Sequence, residues 1–330
     1  MKQFAGRIAV VTGGGTGMGR ELAKQLAAEG CHVAMCDVSA EHMEETQAAC
    51  RELAPAGTRV TTQLCDVSEE GQVLAFRDAV KKSHATECIH LLFNNAGIGG
   101  GGSLLTDDRD EWDKTFAVCW SGVYYCTRAF LPLLVAAPEG HLVNTSSVNG
   151  FWASLGPNVP HTAYSAAKFA VKGFSEALIA DLRMNAPHVK VSVVMPGHVG
   201  TSIVINSGVV LGRPSPKEMT GEDLQRVRER MSRQGMPVDG ASDDQLRAGL
   251  EMMAVAFRDL APLSAAGAAT QILDGVREER WRILVGDDAK ALDRLVRETP
   301  EDAYEQGFME RLRQQGFFGG LLRGVGAPVD

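Results

Sequence analysis

The chain has 330 residues, 45% of them hydrophobic and 22% charged, with a net charge of −8. That composition is globular, and the length allows one large domain or two. No Lys/Arg-rich run is present, which argues against a nucleic-acid partner, and no apolar run reaches the ~18 residues of a membrane span.

Met1–Arg7 passes straight into a strand without a signal-peptide core, so the expected location is the cytoplasm. Ile8 to Thr12 is a continuous apolar run, the pattern of a strand covered on both faces. A glycine-rich turn follows, then a helical pattern from Glu21 to Glu29, with Gly30 at a helix C-terminus. The rhythm then repeats. Strand 32–36 ends at Asp37 and is followed by helix 40–54; strand 59–65 ends at Asp66 and is followed by helix 69–84. Strand 89–93 ends in Asn94-Asn95-Ala96-Gly97 and leads to a long helix over 111–136. Strand 141–145 ends in Ser146-Ser147 and leads to a helix running to about 184; strand 189–195 ends at Pro196-Gly197. This alternation predicts an α/β fold, a Rossmann-type doubly wound parallel sheet of about seven strands with helices on both faces. Residues 202–262 are helical and broken by Gly and Pro, the pattern of a substrate lid inserted into a single domain spanning 1–330. Helix 264–278 and strand 281–285 return to the core, and 288–330 is a charged helical extension with an apolar tail, Phe317–Leu322. The seven cysteines form no CxxC pair and no Cys/His cluster, so free thiols and no metal site are expected.

Nearly every unusual residue falls at the C-terminal end of a strand, the edge where open α/β sheets bind ligands. Between the first strand and first helix stand Gly13, Gly14, Gly15, Thr16, Gly17, Met18 and Gly19. Glycines allow close backbone approach, and a helix N-terminus offers free N–H groups and positive potential to a pyrophosphate. Asp37, about twenty residues on, is placed to bind the adenosine ribose diol and to repel a 2′-phosphate; no Arg follows it directly, so NAD is expected over NADP. As alternatives, Asp37 or Ser39 would cap the next helix. Tyr164 and Lys168 lie one helical turn apart on one face. A cation beside a phenol favours the phenolate, which suits the tyrosine to acid/base work on an alcohol or ketone.

On these motifs together (the glycine turn, Asn94-Asn95-Ala96-Gly97, Ser146-Ser147, Tyr164 with Lys168, and Pro196-Gly197 with Thr201) the chain resembles the short-chain dehydrogenase/reductase family in its single-domain branch. The resemblance covers about residues 5–201. It implies that Asp66 and Val67 meet the adenine, and that Asn94, Ala96 and Gly97 line the ribose side. Pro196, Gly197, Val199 and Thr201 would hold the nicotinamide end. Lys168 would bind the nicotinamide ribose, and Ser147, with Ser146 as alternative, would hydrogen-bond the substrate oxygen. It also implies a homodimer or homotetramer built through the two long helices. Two features stand apart. Cys119 occupies the place where the family usually carries an Asn that completes a proton relay, and a thiol is a weak hydrogen-bonding group. The segment 151–162 is longer than usual, placing Phe151, Trp152, Pro157, Pro160 and His161 near the mouth of the site. The methionines of the lid suit a bulky apolar alcohol or ketone, although packing against a partner subunit is the plainer explanation of them. The alternative class is a dinucleotide-binding sensor that has lost turnover, with Cys119 its sole support.

Overall fold

Among the described residues the apolar runs become nine strands: Ile8–Thr12 (β1), His32–Asp37 (β2), Val60–Leu64 (β3), Leu91–Asn94 (β4), Gly140–Thr145 (β5), Val189–Pro196 (β6), Val199–Gly200 (β7), Leu263–Ser264 (β8) and Arg282–Val285 (β9). The computed structural model describes residues 1–156, 159–238 and 240–316; Pro157 and the apolar tail from Phe317 lie outside the described residues. Seven strands form one sheet in the order β3-β2-β1-β4-β5-β6-β9, every neighbouring pair parallel. Twelve α-helices among the described residues surround it: Gly17–Ala28 (α1), Ala40–Leu53 (α2), Glu70–His84 (α3), Arg109–Phe116 (α4), Gly122–Val135 (α5), Thr162–Asn185 (α6), Ile203–Val210 (α7), Gly221–Arg233 (α8), Asp243–Asp259 (α9), Ala265–Arg277 (α10), Asp287–Glu298 (α11) and Gln306–Gln314 (α12).

Because successive strand residues face opposite ways, each strand feeds two cores. Ile8, Val10, Ala34, Cys36 and Leu92 join one core with Val73, Phe76 and Val80 of α3, Phe130 and Leu134 of α5, and Leu178 of α6. Ala9, Val11, Val33, Met35, Leu91 and Phe93 face the other, with Leu22 and Leu26 of α1 and Ile272 and Leu273 of α10. Gly30 takes φ +78° just past α1, the left-handed geometry that favours glycine there.

The helix predicted over 111–136 is present but not uniform. Ala117–Ser121 form a π-turn between α4 and α5, and the Gly122 N–H donates to the Ala117 carbonyl, five residues back. Arg109–Val135 is also long and apolar enough, by length and composition alone, to cross a membrane, which corrects the expectation that no such segment exists; more than half of its most apolar window is buried inside the fold. Its apolarity follows from packing against the sheet.

Between Gly200 and Leu263 the chain makes α7, α8 and α9. The two ends of this excursion pair as the two-stranded parallel sheet β7–β8. Leu224, Val227, Met231, Val238 and Leu246 form a small core of their own, with Met219 and Met236 packed against it. Those three methionines therefore serve the insertion's interior, whereas Met252, Met253 and Val255 on α9 are exposed. After β9, helices α11 and α12 cover Val148 and Trp152 with Leu292, Leu295, Phe308 and Leu312. All seven cysteines are unpaired, and six of them are buried.

Two core histidines make stability pH-dependent. Burial pushes the His84 imidazole down to about 4 and that of His141 down to about 3, and Nδ1 of each is buried without a partner among the described residues. In the unfolded chain both bind a proton near pH 6.5. Between that value and their folded values the unfolded state holds more protons, so stability falls as pH falls, by up to about 1.4 kcal/mol per pH unit for each ring. Urea melts at pH 7, 6 and 5 should show this slope, and His141→Gln should reduce it by one ring's share. A pH-independent midpoint from 7 to 5 would contradict the assignment.

Candidate active site

The glycine turn follows β1 and opens α1. Gly13 (φ +67°) and Gly17 (φ +54°) use the left-handed region. A Cβ on Gly13 would meet the Ala96 backbone at 2.8 Å, and one on Gly19 would overlap the Gly13 carbonyl oxygen. Close packing of turn, helix and the end of β4 therefore requires glycine at both positions. Thr16, at the N-cap of α1, makes no side-chain cap, and no acidic residue stands in the first turn. The N–H groups of this turn are left facing a groove of about 250 Å³. Gly13, Thr16, Gly17, Met18, Asp37, Asp66, Val67, Ala96, Gly97 and Thr201 line that groove.

Asp37 stands at the end of β2. Its Oδ2 accepts the Gly15 N–H at 2.9 Å and its Oδ1 accepts the Ser39 N–H at 3.1 Å. The cap of α2 is Ser39, whose hydroxyl accepts the His42 N–H. Asp66 accepts from Lys114 Nζ at 2.6 Å and from the Ser68 hydroxyl at 2.7 Å. Burial pushes its carboxyl up, but these partners outweigh it and hold the group below its usual range.

Of the two asparagines at the end of β4, Asn95, just past the strand, lines the groove. Asn94 turns into the core, where its amide donates to the Thr127 hydroxyl at 3.0 Å and to Asn144 Oδ1 at 2.8 Å; Asn144 passes the chain on to Ser175 of α6. This buried network joins β4, β5, α5 and α6 beneath the site. Groove residues that sequence reasoning missed include Asn95, Ile98 and Val118, together with Asn206, Val209 and Val210 on α7. Asn206 donates to the Thr16 hydroxyl at 3.0 Å, and the Gly99 N–H donates to Ser207 at 2.8 Å, so α7 lies over the glycine turn. The ion pair between Arg213 and Glu111 fastens the chain just after α7 to α4.

Tyr164 and Lys168 stand on α6 as one-turn neighbours. The Thr162 and Ala163 N–H groups donate to the Gly102 and Gly101 carbonyls, at 3.0 and 2.9 Å, which fixes the start of that helix. Lys168 is buried; its Nζ donates to the Thr145 carbonyl at 2.9 Å and lies 5.4 Å from the centre of the Tyr164 ring. Gly97 is the junction with the groove: a Cβ there would sit 3.4 Å from Lys168 Nζ and 3.7 Å from Cys119 Sγ. The two serines part company. Ser146 donates to the Lys168 carbonyl at 2.7 Å and is locked against Gly150. Ser147 accepts the Asn149 N–H at 3.1 Å and its hydroxyl stands beside the Tyr164 phenol.

The electrostatics differ from the simple expectation of a phenol lowered by its lysine. Burial pushes Tyr164 well above the ordinary phenol range and nearby Cys119 adds to the rise, while Ser147 works in the opposite direction. Burial also lowers Lys168. The ammonium is aimed at the Thr145 carbonyl and lies over the ring, so desolvation of the phenol dominates. Cys119 sits in the π-turn with its thiol donating to the Ile98 carbonyl at 3.1 Å.

The lengthened segment 151–162 divides. Trp152 is buried under the C-terminal helices, its Nε1 donating to the Ala303 carbonyl at 2.7 Å, and Phe151 packs with the same cluster. Pro160 lies against Gly102. Among the described residues of the segment, His161 reaches the Tyr164–Lys168 pair, its ring centre 4.7 Å from that of Tyr164, and burial lowers it to about 4. Pro196 ends β6, Gly197 follows it and Val199 opens β7; these three stand behind the groove lining, whose edge there is Thr201. His198 Nε2 is 2.7 Å from the Phe257 carbonyl, so it ties the loop to α9.

A parallel sheet with an uncapped glycine turn, and a partly buried Tyr164 beside buried Lys168 and Ser147 at the same edge, define a dinucleotide-binding oxidoreductase architecture. A family profile described as short chain dehydrogenase matches residues 7–208. A putative oxidoreductase, SadH, of Mycobacterium tuberculosis is 34% identical over 297 residues, covering 90% of this chain and 92% of that protein. Levodione reductase of Leifsonia aquatica is 33% identical, over 68% of this chain and 80% of its own length. Among solved structures, a short-chain dehydrogenase/reductase from Burkholderia phymatum in complex with NAD superposes with a TM-score of 0.71 at 32% identity, covering 91% of this chain and 96% of that one. A metagenomic short-chain oxidoreductase in complex with NADP gives a TM-score of 0.51 at 34% identity, over 59% of this chain and 83% of its own. The chain belongs to the short-chain dehydrogenase/reductase family, a family of oxidoreductases acting on small molecules.

Proposed function

We propose that this protein transfers a hydride between NAD(H) and a secondary alcohol or ketone that is bulky and apolar. The observation that carries the reading is Gly97, which lines the groove beside the glycine turn and at the same time abuts Lys168 Nζ. A dinucleotide lying along that groove brings its far end to the Tyr164–Lys168 pair. Gly13, Gly15, Thr16, Gly17, Met18 and Gly19 would hold the pyrophosphate. Asp37 would take the adenosine ribose diol, with Asp66 and Val67 at the adenine, and Ala96, Gly97, Pro196, Gly197, Val199 and Thr201 would complete the other end. When bound, the nicotinamide supplies or accepts the hydride. The chain's own residues do the rest. Tyr164 gives or takes the hydroxyl proton, Ser147 hydrogen-bonds the substrate oxygen, and Lys168 fixes the nicotinamide ribose.

Two features support the finer points. Ile203, Val209 and Val210 face the groove from α7, an apolar wall suited to an apolar substrate. Asp37 presents a carboxylate where a 2′-phosphate would be repelled, which favours NAD. Seven unpaired thiols agree with a cytoplasmic setting. Tyr124 and Phe169, exposed on α5 and α6, suit a homodimer or homotetramer formed through those helices.

The test is a spectrophotometric screen of NAD+ and NADP+ against primary, secondary, cyclic and steroidal alcohols. The expected result is NAD+-dependent oxidation of secondary or cyclic alcohols, with Asp37→Ser shifting the preference toward NADP+ by at least tenfold. A wild-type protein that clearly prefers NADP+ would show the reading of Asp37 to be wrong. Cofactor binding without turnover across the panel would favour a sensor.

A further inference from the structure

Helix α11 lies beyond the residues that the family profile matches, yet it returns one side chain to the ligand edge of the sheet. Asp288 is only 3% exposed. Its carboxylate packs directly on the Gly197 backbone, so that a Cβ on Gly197 would overlap it, and its Oδ2 accepts the His198 N–H at 2.6 Å. Gly286 (φ +97°) likewise has no room for a Cβ beside Oδ1, and Oδ1 is buried with no hydrogen-bond partner among the described residues. The segment 196–200 is thus gripped from one side by α11. From the other side, the His198 ring packs at a tilt against Phe257 with centres 4.5 Å apart, and a Cβ on Gly200 would meet the Arg258 carbonyl at 2.6 Å. The next residue, Thr201, lines the groove and approaches Gly17 of the glycine turn: a Cβ there would lie 3.1 Å from Thr201 Cγ2.

A buried carboxylate with an unmet oxygen is costly. Capping α11 alone does not require it, since an exposed Ser or Asp at a helix start does that work. We infer that Asp288 is a positioning residue that holds the Gly197–His198 turn in the register needed to receive the nicotinamide end of the cofactor. The C-terminal extension is thereby part of the reaction site. This rests on the oxidoreductase reading above.

The discriminating variant is Asp288→Ser, which keeps a helix-capping hydroxyl but is one atom too short for the His198 N–H. Its cofactor KM should rise at least tenfold, and its dissociation constant for NADH, read by fluorescence, should rise in parallel, while kcat changes less than threefold. Asp288→Asn retains an acceptor oxygen and should stay within threefold of wild type in all three. As a control for stability, Asp293→Ala removes the pairs with Arg282 and Arg297 from the same helix; it should lower the melting temperature and leave the cofactor KM unchanged. The inference is overturned if Asp288→Ser binds NADH as wild type does, if Asp293→Ala raises the cofactor KM as much, or if a folded Asp288→Asn loses affinity tenfold. A wild-type protein that binds neither NADH nor NADPH would overturn the oxidoreductase reading instead.

Discussion

Tyr164→Phe should lower kcat by about 10²–10⁴-fold, the usual contribution of a positioned acid/base, while cofactor affinity stays within about threefold. The substitution removes one oxygen and keeps the ring that packs between His161 and Lys168, so the fold has little to lose. The pH dependence supplies a second signature. Burial holds the phenol in its protonated form at neutral pH, the form that gives a proton to a ketone. Alcohol oxidation needs the phenolate, so its rate should climb with pH through the alkaline range. Tyr164→Phe should lose that climb along with most of its rate. Ser147→Ala should cost less than Tyr164→Phe, because it removes a hydrogen bond to the substrate oxygen and not the proton donor. Activity in Tyr164→Phe within threefold of wild type would remove the phenol from the mechanism.

Gly19→Ala should abolish measurable cofactor binding. A methyl group there has nowhere to go: it overlaps the Gly13 carbonyl and comes within 2.6 Å of the Asn95 amide, which itself donates to the Thr12 carbonyl. Backbone must move, and what moves is the turn proposed to hold the pyrophosphate. A loss of more than 100-fold in NADH affinity, more than about 2.7 kcal/mol, is expected with near-native circular dichroism. Gly14 provides the contrast. The nearest atoms to a Cβ at Gly14 belong to the buried side chain of Met35 on β2, its Cβ at 2.7 Å, and not to the backbone of the turn, so Gly14→Ala should lower the melting temperature and weaken NADH binding less than tenfold. Equal effects at the two positions would mean that glycine is needed there for general looseness and not for contact.

The parts of the fold that the sequence announces are those governed by local rules. Continuous apolar runs read as doubly covered strands because parallel sheets bury both faces, and strand ends collect the special residues because ligands bind at that edge. What escaped detection depends on contacts distant in the chain or on one extra residue. Asn94 and Asn95 are adjacent, so the strand sends them to opposite sides; the sequence does not say which side is the core, and Asn94 went there. The π-turn at Ala117–Ser121 inserts a five-residue bond into a helix whose apolar spacing barely changes. Asn206 meets Thr16 across 190 residues. Trp152 read as a residue of the site's mouth, and it is instead a buried strut under helices that begin 135 residues later. Asp288 sits in what reads as a charged helical extension, with only its position in the first turn of α11 to distinguish it.

The two-residue strands β7 and β8 have a consequence for how such an enzyme diversifies. Everything from Thr201 to Pro262 leaves and rejoins the body through one parallel pair, Val199 with Leu263 and Gly200 with Ser264, and α8 and α9 carry an interior of their own. Lengthening a tethered excursion costs little chain entropy once its ends are fixed. The segment is therefore an exchangeable cassette: residues 201–262 of this chain could be grafted onto the equivalent stem of a relative, or replaced by that relative's, without disturbing a ladder of the main sheet. Swapping the cassette would exchange the α7 wall of the groove, Ile203, Asn206, Val209 and Val210, while leaving the glycine turn, the Tyr164–Lys168 pair and the contact of Asp288 with Gly197 as they are.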